Sequence, residues 1–216
     1  MVKNVMFDID GTLWNSTEVV AKGWRQAVEE TGYSKVNVTG EILKKEFGLP
    51  MNIIADHVFT DLSDQAKKDE ILELACKYEH VCLEENEVDI SYPGIVSTIR
   101  NLSKDKNVYI VSNCQKGYIE LVTDKLGITD CISDYLCFGD TGLTKGETMS
   151  MLMEKNGLVK DESVYVGDII GDKNAADYAG VRFVWAEYGF GNPADFVNSE
   201  YKISTPDELT RLIDEM

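Results

Sequence analysis

Hydrophobic residues follow two different patterns along the chain, and the change between them lies near residue 90. Between about residues 17 and 88, apolar side chains recur at the three- and four-residue spacing of amphipathic helices, and no stretch resembles a strand. Four helices are predicted there, at about 16–30, 40–47, 51–59 and 64–85. From residue 92 onward, short apolar runs alternate with helical patterns.

The second pattern, together with one apolar run ahead of the helices, predicts a sheet. Strands are predicted at 5–7, 108–111, 135–138, 164–166, 181–185 and 201–203. Helices are predicted at about 93–102, 116–126, 145–156 and 172–179, and from Thr205 through Ile213. Because fully apolar strands that alternate with helices indicate a parallel sheet covered on both faces, the predicted fold class is α/β. A doubly wound, Rossmann-like core of residues 1–15 and 92–216 would carry an all-helical insertion of residues 16–91.

Polar residues with chemical potential follow three of the predicted strands. Side chains alternate along an extended chain, so Asp8 and Asp10 face the same small volume. Two carboxylates that close raise one pKa, bind a cation, or do both. Ligands of open α/β sheets bind beyond the carboxyl ends of the strands. If the three strands are neighbours, the site gathers Asp8, Asp10, Ser112, Asn113, Asp168 and Asp172.

Charge and composition narrow the possible partners. The 216 residues carry a formal net charge of -17, which disfavours nucleic acid and anionic membranes as ligands. A small anionic substrate would need a locally positive site. Five cysteines without a close CxxC pair, no signal-peptide pattern and no apolar run of about 18 residues favour a cytoplasmic protein with reduced thiols.

Four segments together resemble the motifs of a known enzyme family. DIDGTL at 8–13, VSN at 111–113, Lys145, and GDIIGD at 167–172 have the order and spacing of the four motifs of the haloacid dehalogenase-like hydrolases. The helical insertion is similar to that of the helical-cap phosphatases in this family, which include phosphoglycolate phosphatases and β-phosphoglucomutases. Gly146 stands where a proline is common in the family.

The resemblance implies a role for each matching residue. Asp8 would attack phosphorus and form an aspartyl-phosphate intermediate. Asp10 would protonate the leaving oxygen and then take a proton from the water that hydrolyses the intermediate. The backbone carbonyl of Asp10 would also bind the metal. Asp168 would complete an oxygen shell for Mg²⁺, with Asp172 as a direct ligand or one acting through water. The phosphoryl oxygens would be held by Thr12, Ser112, Asn113 and Lys145.

The predicted function is a Mg²⁺-dependent phosphatase of a small phosphorylated metabolite, either phosphoglycolate-like or a sugar phosphate. A phosphomutase is one alternative, although Val20 occupies the position of the cap histidine of the mutases. A non-catalytic regulator that binds a phosphorylated ligand is another. Dehalogenation is disfavoured, because the dehalogenases of this family do not use an aspartate at the position that Asp10 occupies here. The substrate stays open, and a monomer is the default expectation.

Some further residues receive structural predictions. Trp14 is expected to pack in the helical insertion, and His57 is expected to be a packed histidine on an apolar helix face. The loop 188–191 is rich in glycine but lacks the lysine and the following helix of a P-loop, so it is not expected to cradle phosphate. The helical insertion is expected to close over the substrate, with hinges near 14–17 and 87–92.

Overall fold

Six parallel strands form one sheet in the computed structural model, which describes all residues, 1–216. The strands are β1 (Asn4–Phe7), β2 (Asn107–Ser112), β3 (Asp134–Cys137), β4 (Ser163–Gly167), β5 (Arg182–Ala186) and β6 (Tyr201–Ile203). Their order is β3-β2-β1-β4-β5-β6. The chain therefore builds the sheet outward from β1 in one direction and then, from β4, in the other. Phe7 of β1 pairs with Ile110 of β2 and with Val166 of β4.

Ten α-helices accompany the sheet. They are α1 (Thr17–Thr31), α2 (Gly40–Glu46), α3 (Met51–Val58), α4 (Gln65–Glu85), α5 (Ile95–Leu102), α6 (Tyr118–Lys125), α7 (Phe138–Thr141), α8 (Lys145–Asn156), α9 (Ile170–Ala179) and α10 (Glu208–Glu215). No helix is both long enough and apolar enough to cross a membrane. The predicted α/β class with a parallel sheet is confirmed.

The central strands are buried along their whole length. All four residues of β1 and all five of β4 are buried, which explains the apolar runs Val5-Met6-Phe7 and Val164-Tyr165-Val166 within them. Met6, Tyr109 and Tyr165 belong to one hydrophobic cluster with residues of α8 and α9. A rigid central strand thus delivers the residues that follow it to a fixed point at the edge of the sheet.

The chain divides into two compact units, one of Met1–Asn15 with Ser91–Met216 and one of Ser16–Ile90. The second unit contains only helices, and α1 packs against α4 within it. Gly23 permits this close packing, because a Cβ atom there would overlap the backbone of Glu79. The indole nitrogen of Trp24 donates to the buried carboxylate of Glu79 at 2.7 Å, and its ring stacks on Phe59.

Two local predictions are wrong. His57 is exposed, and its Nδ1 lies 2.6 Å from the carboxylate of Glu46, so it is not a packed histidine. The last helix begins at Glu208 rather than near Thr205, whose carbonyl instead accepts the backbone N–H of Glu208 in the turn before the helix.

Candidate active site

The site begins where β1 ends at the centre of the sheet. The backbone N–H of Asp8 donates to the carbonyl of Val166 at 2.9 Å, so the ladder with β4 continues one residue beyond the strand. The side chain of Asp8 is only 2% exposed. Beyond it the chain turns back, with Gly11 at φ 89° and the N–H of Leu13 bonded to the carbonyl of Ile9 at 2.7 Å. This turn requires glycine, because a Cβ atom at Gly11 would overlap the carboxylate of Asp168.

Two further carboxylates follow β4. Asp168 comes directly after the strand, and Asp172 lies in the first turn of α9. One oxygen of Asp172, Oδ2, accepts the backbone N–H groups of Asp168 at 3.0 Å and Ile169 at 3.1 Å. Asp172 therefore fixes the turn that orients Asp168. Gly167 leaves the room for this arrangement, since a Cβ atom there would stand 2.5 Å from the Cβ atom of Asp172.

A lysine joins these carboxylates. Lys145, the first residue of α8, donates from Nζ to Asp8 Oδ1 at 2.9 Å and to Asp172 Oδ1 at 2.6 Å. Asp8, Asp168 and Asp172 each offer a carboxylate oxygen, and these atoms all lie within 4.8 Å of one another. With all four side chains buried and ionised, three negative charges and one positive charge leave a net charge of -2 in this small volume.

The pKa values reflect this imbalance. Burial raises the pKa of Asp8 to about 7, an effect that Lys145 opposes and that Asp172 and Asp10 reinforce. Burial, with Asp172 and Asp8 beside it, also raises the pKa of Asp168 well above its usual value. Burial alone would lower the pKa of Lys145, but the carboxylates of Asp172 and Asp8 outweigh it and raise that pKa. The cluster is short of positive charge. Carboxylate oxygens at this spacing fit a hard divalent cation, which would supply it.

Two aromatic side chains bond to Asp10, which does not belong to the cluster of Asp8, Asp168 and Asp172. Its Oδ1 atom accepts the indole N–H of Trp14 at 3.0 Å and the phenolic O–H of Tyr118 at 2.9 Å. Neither donor was expected from the sequence. The prediction that Trp14 packs in the helical insertion is wrong, because Trp14 belongs to the unit that contains the sheet.

The glycine-rich loop after β5 packs against Asp168. The backbone N–H of Phe190 donates to Asp168 Oδ2 at 2.7 Å, and the indole of Trp185 donates to the Asp168 carbonyl at 3.0 Å. A Cβ atom at Gly189 would overlap the Cβ atom of Asp168, and one at Gly191 would overlap its carbonyl oxygen. Glycine followed two residues later by glycine was the only signal in the sequence for this close approach. In the structure, this loop contacts the carboxylate of Asp168.

The residues predicted to bind phosphate lie at the same edge of the sheet. The hydroxyl of Thr12 is buried and donates to Asp168 Oδ1 at 3.3 Å. Ser112 is the buried last residue of β2, and Asn113 follows it. Gly146, which stands where a proline is common in the family, lies against the side chain of Tyr178. A Cβ atom at position 146 would lie 2.9 Å from three side-chain atoms of Tyr178.

Comparison with known proteins gives a consistent result. A sequence model described as haloacid dehalogenase-like hydrolase matches residues 5–186. A phosphoglycolate phosphatase of Pseudomonas putida is 27% identical over 199 residues, which cover 88% of this chain and 72% of the relative. A phosphoglycolate phosphatase of Aliivibrio fischeri is 25% identical, with 93% of this chain and 94% of the relative covered. A haloacid dehalogenase-like hydrolase of Streptococcus pneumoniae has the same fold, with a TM-score of 0.82, 18% identity and 98% of each chain covered.

Proposed function

Because the chain belongs to the haloacid dehalogenase-like hydrolase family, we propose that it is a phosphatase that hydrolyses a small-molecule phosphate monoester, phosphoglycolate-like or a sugar phosphate. The observation that carries the proposal is the buried cluster in which Lys145 joins Asp8 to Asp172 beside Asp168. The relatives named phosphoglycolate phosphatase support the same reaction and substrate class.

In the first step of the proposed reaction, a carboxylate oxygen of Asp8 attacks phosphorus in line with the ester oxygen. A bond forms between Asp8 and phosphorus, the bond from phosphorus to the leaving oxygen breaks, and Asp10 gives that oxygen a proton. Lys145 lies 2.9 Å from Asp8 Oδ1, so its charge is in place to offset that of the phosphoryl oxygens. Ser112, Asn113 and Thr12 are the neighbouring groups proposed to hold those oxygens.

In the second step, Asp10 takes a proton from water, and the water oxygen attacks phosphorus. The bond between phosphorus and Asp8 breaks, which returns the Asp8 carboxylate and releases inorganic phosphate. Asp10 thereby regains the proton that it gave away. The cycle needs no other acid or base.

Mg²⁺ is the proposed metal ion, and when bound it supplies positive charge beside the phosphoryl group. Asp8, Asp168 and the backbone carbonyl of Asp10 would hold it. Both oxygens of Asp172 already accept hydrogen bonds, from Lys145 and from two backbone N–H groups, so Asp172 is proposed to act through water.

The all-helical unit, Ser16–Ile90, is proposed to be the cap that selects the substrate. A mutase would need a residue to pass the phosphoryl group on, and Val20 stands where the mutases carry a histidine. Water is therefore the proposed acceptor. This leaves a phosphatase as the favoured activity over a mutase.

The proposal is tested by phosphate release from a panel of esters that includes 2-phosphoglycolate, sugar phosphates and p-nitrophenyl phosphate, with Mg²⁺ and with EDTA. We expect turnover that depends on Mg²⁺ and a loss of at least about a thousandfold in Asp8→Asn. Asp130→Asn, which changes an exposed carboxylate, is the matched control and should retain activity. Turnover by Asp8→Asn at the rate of the control would refute the nucleophile, and binding of esters without any turnover would favour a regulator.

A further inference from the structure

We propose that Trp14 and Tyr118 are positioning residues, which hold the carboxyl group of Asp10 in the orientation needed for proton transfer. This inference rests on the phosphatase function proposed above and adds two residues to the site. Neither residue belongs to the four motifs that identify the family in this chain.

Both aromatic donors reach the same atom. The indole N–H of Trp14 lies 3.0 Å from Asp10 Oδ1, and the O–H of Tyr118 lies 2.9 Å from it. The side chains are 1% and 3% exposed, so water does not compete freely for either donor. A buried donor that loses its acceptor is costly, which gives each aromatic side chain a strong preference for this arrangement.

The two donors come from separate parts of the same unit. Trp14 precedes the helical insertion and is tied to the turn after β1, because its carbonyl accepts the N–H of Gly11 at 2.9 Å. It also forms an antiparallel bridge with Ser91, where the chain returns from the insertion. Tyr118 is the first residue of α6 and follows Gly117, whose φ is 88°. The two rings meet edge to face, with centroids 5.9 Å apart, so each ring supports the other.

This arrangement sets the orientation of the Asp10 carboxyl group. A carboxylate oxygen has two lone pairs, and the two aromatic donors both bond to Oδ1. The plane of the carboxyl group is therefore set by the two bonds at Oδ1. Proton transfer depends on such alignment, and misplacement by a fraction of an ångström slows it.

A positioning role predicts a dependence on the leaving group. An alkoxide leaving group needs the proton of Asp10, whereas p-nitrophenolate is stable enough to leave with little help. For Tyr118→Phe we expect kcat/KM to fall about tenfold with an alkyl phosphate such as glycerol 3-phosphate, or with the best alkyl ester of the panel. With p-nitrophenyl phosphate the fall should be about twofold or less. Trp14→Phe should show the same contrast.

Tyr109→Phe is the matched control. Tyr109 is also a buried tyrosine of this unit, 4% exposed, and it packs in the hydrophobic cluster at the sheet. Its variant should treat both substrates as the wild-type protein does. Thermal unfolding of each variant shows how far a change in stability accompanies a change in rate.

A double-mutant cycle with Asp10→Asn completes the test. If Tyr118 acts through Asp10, adding Tyr118→Phe to Asp10→Asn should leave the residual rate unchanged within about twofold, measured with enzyme in excess. An equal loss with both substrates, or the same loss in the Asp10→Asn background, would overturn the positioning role in an active enzyme. A wild-type protein that releases no phosphate from any ester would instead overturn the proposed function.

Discussion

At the scale of single residues, Lys145 supplies the positive charge that pairs with two buried carboxylates of the site. It is buried between Asp8 and Asp172, at 2.9 and 2.6 Å. Lys145→Met removes the only cation bonded to this pair and leaves buried carboxylates uncompensated. We expect the metal-free variant to lose about 3–5 kcal/mol of unfolding free energy, measured by urea denaturation in EDTA.

Lys155→Met on the same helix breaks an exposed pair with Asp134 and should cost at most about 1 kcal/mol. Equal losses in the two variants would contradict this account.

The same scale separates what the sequence could predict from what it could not. Asp8 and Asp168 could be placed together because each directly follows a parallel strand, and parallel strands end at a common edge. Asp172 could be added because it lies only four residues after Asp168, in the first turn of the next helix. The bond from Tyr118 to Asp10 joins residues 108 positions apart. Periodicity along the chain carries no information about such a contact. The contact depends on how the start of α6 meets the turn after β1. The aromatic pair was therefore missed, although Asp10, to which both residues bond, was a candidate residue.

At the scale of elements, the loop 188–191 acts as a backbone brace for Asp168. Gly189→Ala places a methyl group on the Cβ atom of Asp168 and on the carbonyl of Gly11, so the loop or the carboxylate must move. We expect phosphatase activity to fall at least about tenfold, with about 1–3 kcal/mol of lost stability. Gly157→Ala is the control, because a Cβ atom there meets no other atom within 4 Å. The only cost of this substitution is the backbone strain of a positive φ at alanine. Full activity in Gly189→Ala would show that Asp168 does not need this brace.

Element types were easier to predict than element ends. The apolar strands and the ten helices follow from periodicity, except for the four-residue α7, whose first residue, Phe138, was assigned to the preceding strand. At that point the backbone leaves the ladder, since β3 pairs with β2 only as far as Cys137 opposite Ser112. Thr205 looked like a cap by residue type, yet the helix begins three residues later. Helix ends fray, so their bounds are harder to predict than the presence of the helix.

At the scale of the whole molecule, stability should depend on pH through the buried carboxylates. In the unfolded chain Asp8 titrates near 3.8, whereas in the folded protein its pKa is raised to about 7 by burial. Between these values the native state keeps a proton that the unfolded chain has released. Raising the pH through this window therefore costs the native state stability, and Asp168, whose pKa is also raised, adds to the effect in the same direction.

Comparison with Asp8→Asn isolates this contribution from the other acids of a chain whose net charge is -17. Asparagine does not titrate, so in EDTA the free energy of unfolding of the variant should rise relative to that of the wild-type protein between about pH 4 and 7 and then level off. Urea denaturation at several pH values measures this difference. Mg²⁺ at pH 7.5 should then stabilise the wild-type protein more than the variant, since binding to the native state alone adds to its stability. Parallel pH curves would mean that burial does not raise the pKa of Asp8. An equal response to Mg²⁺ would mean that the cation does not stabilise the protein through Asp8.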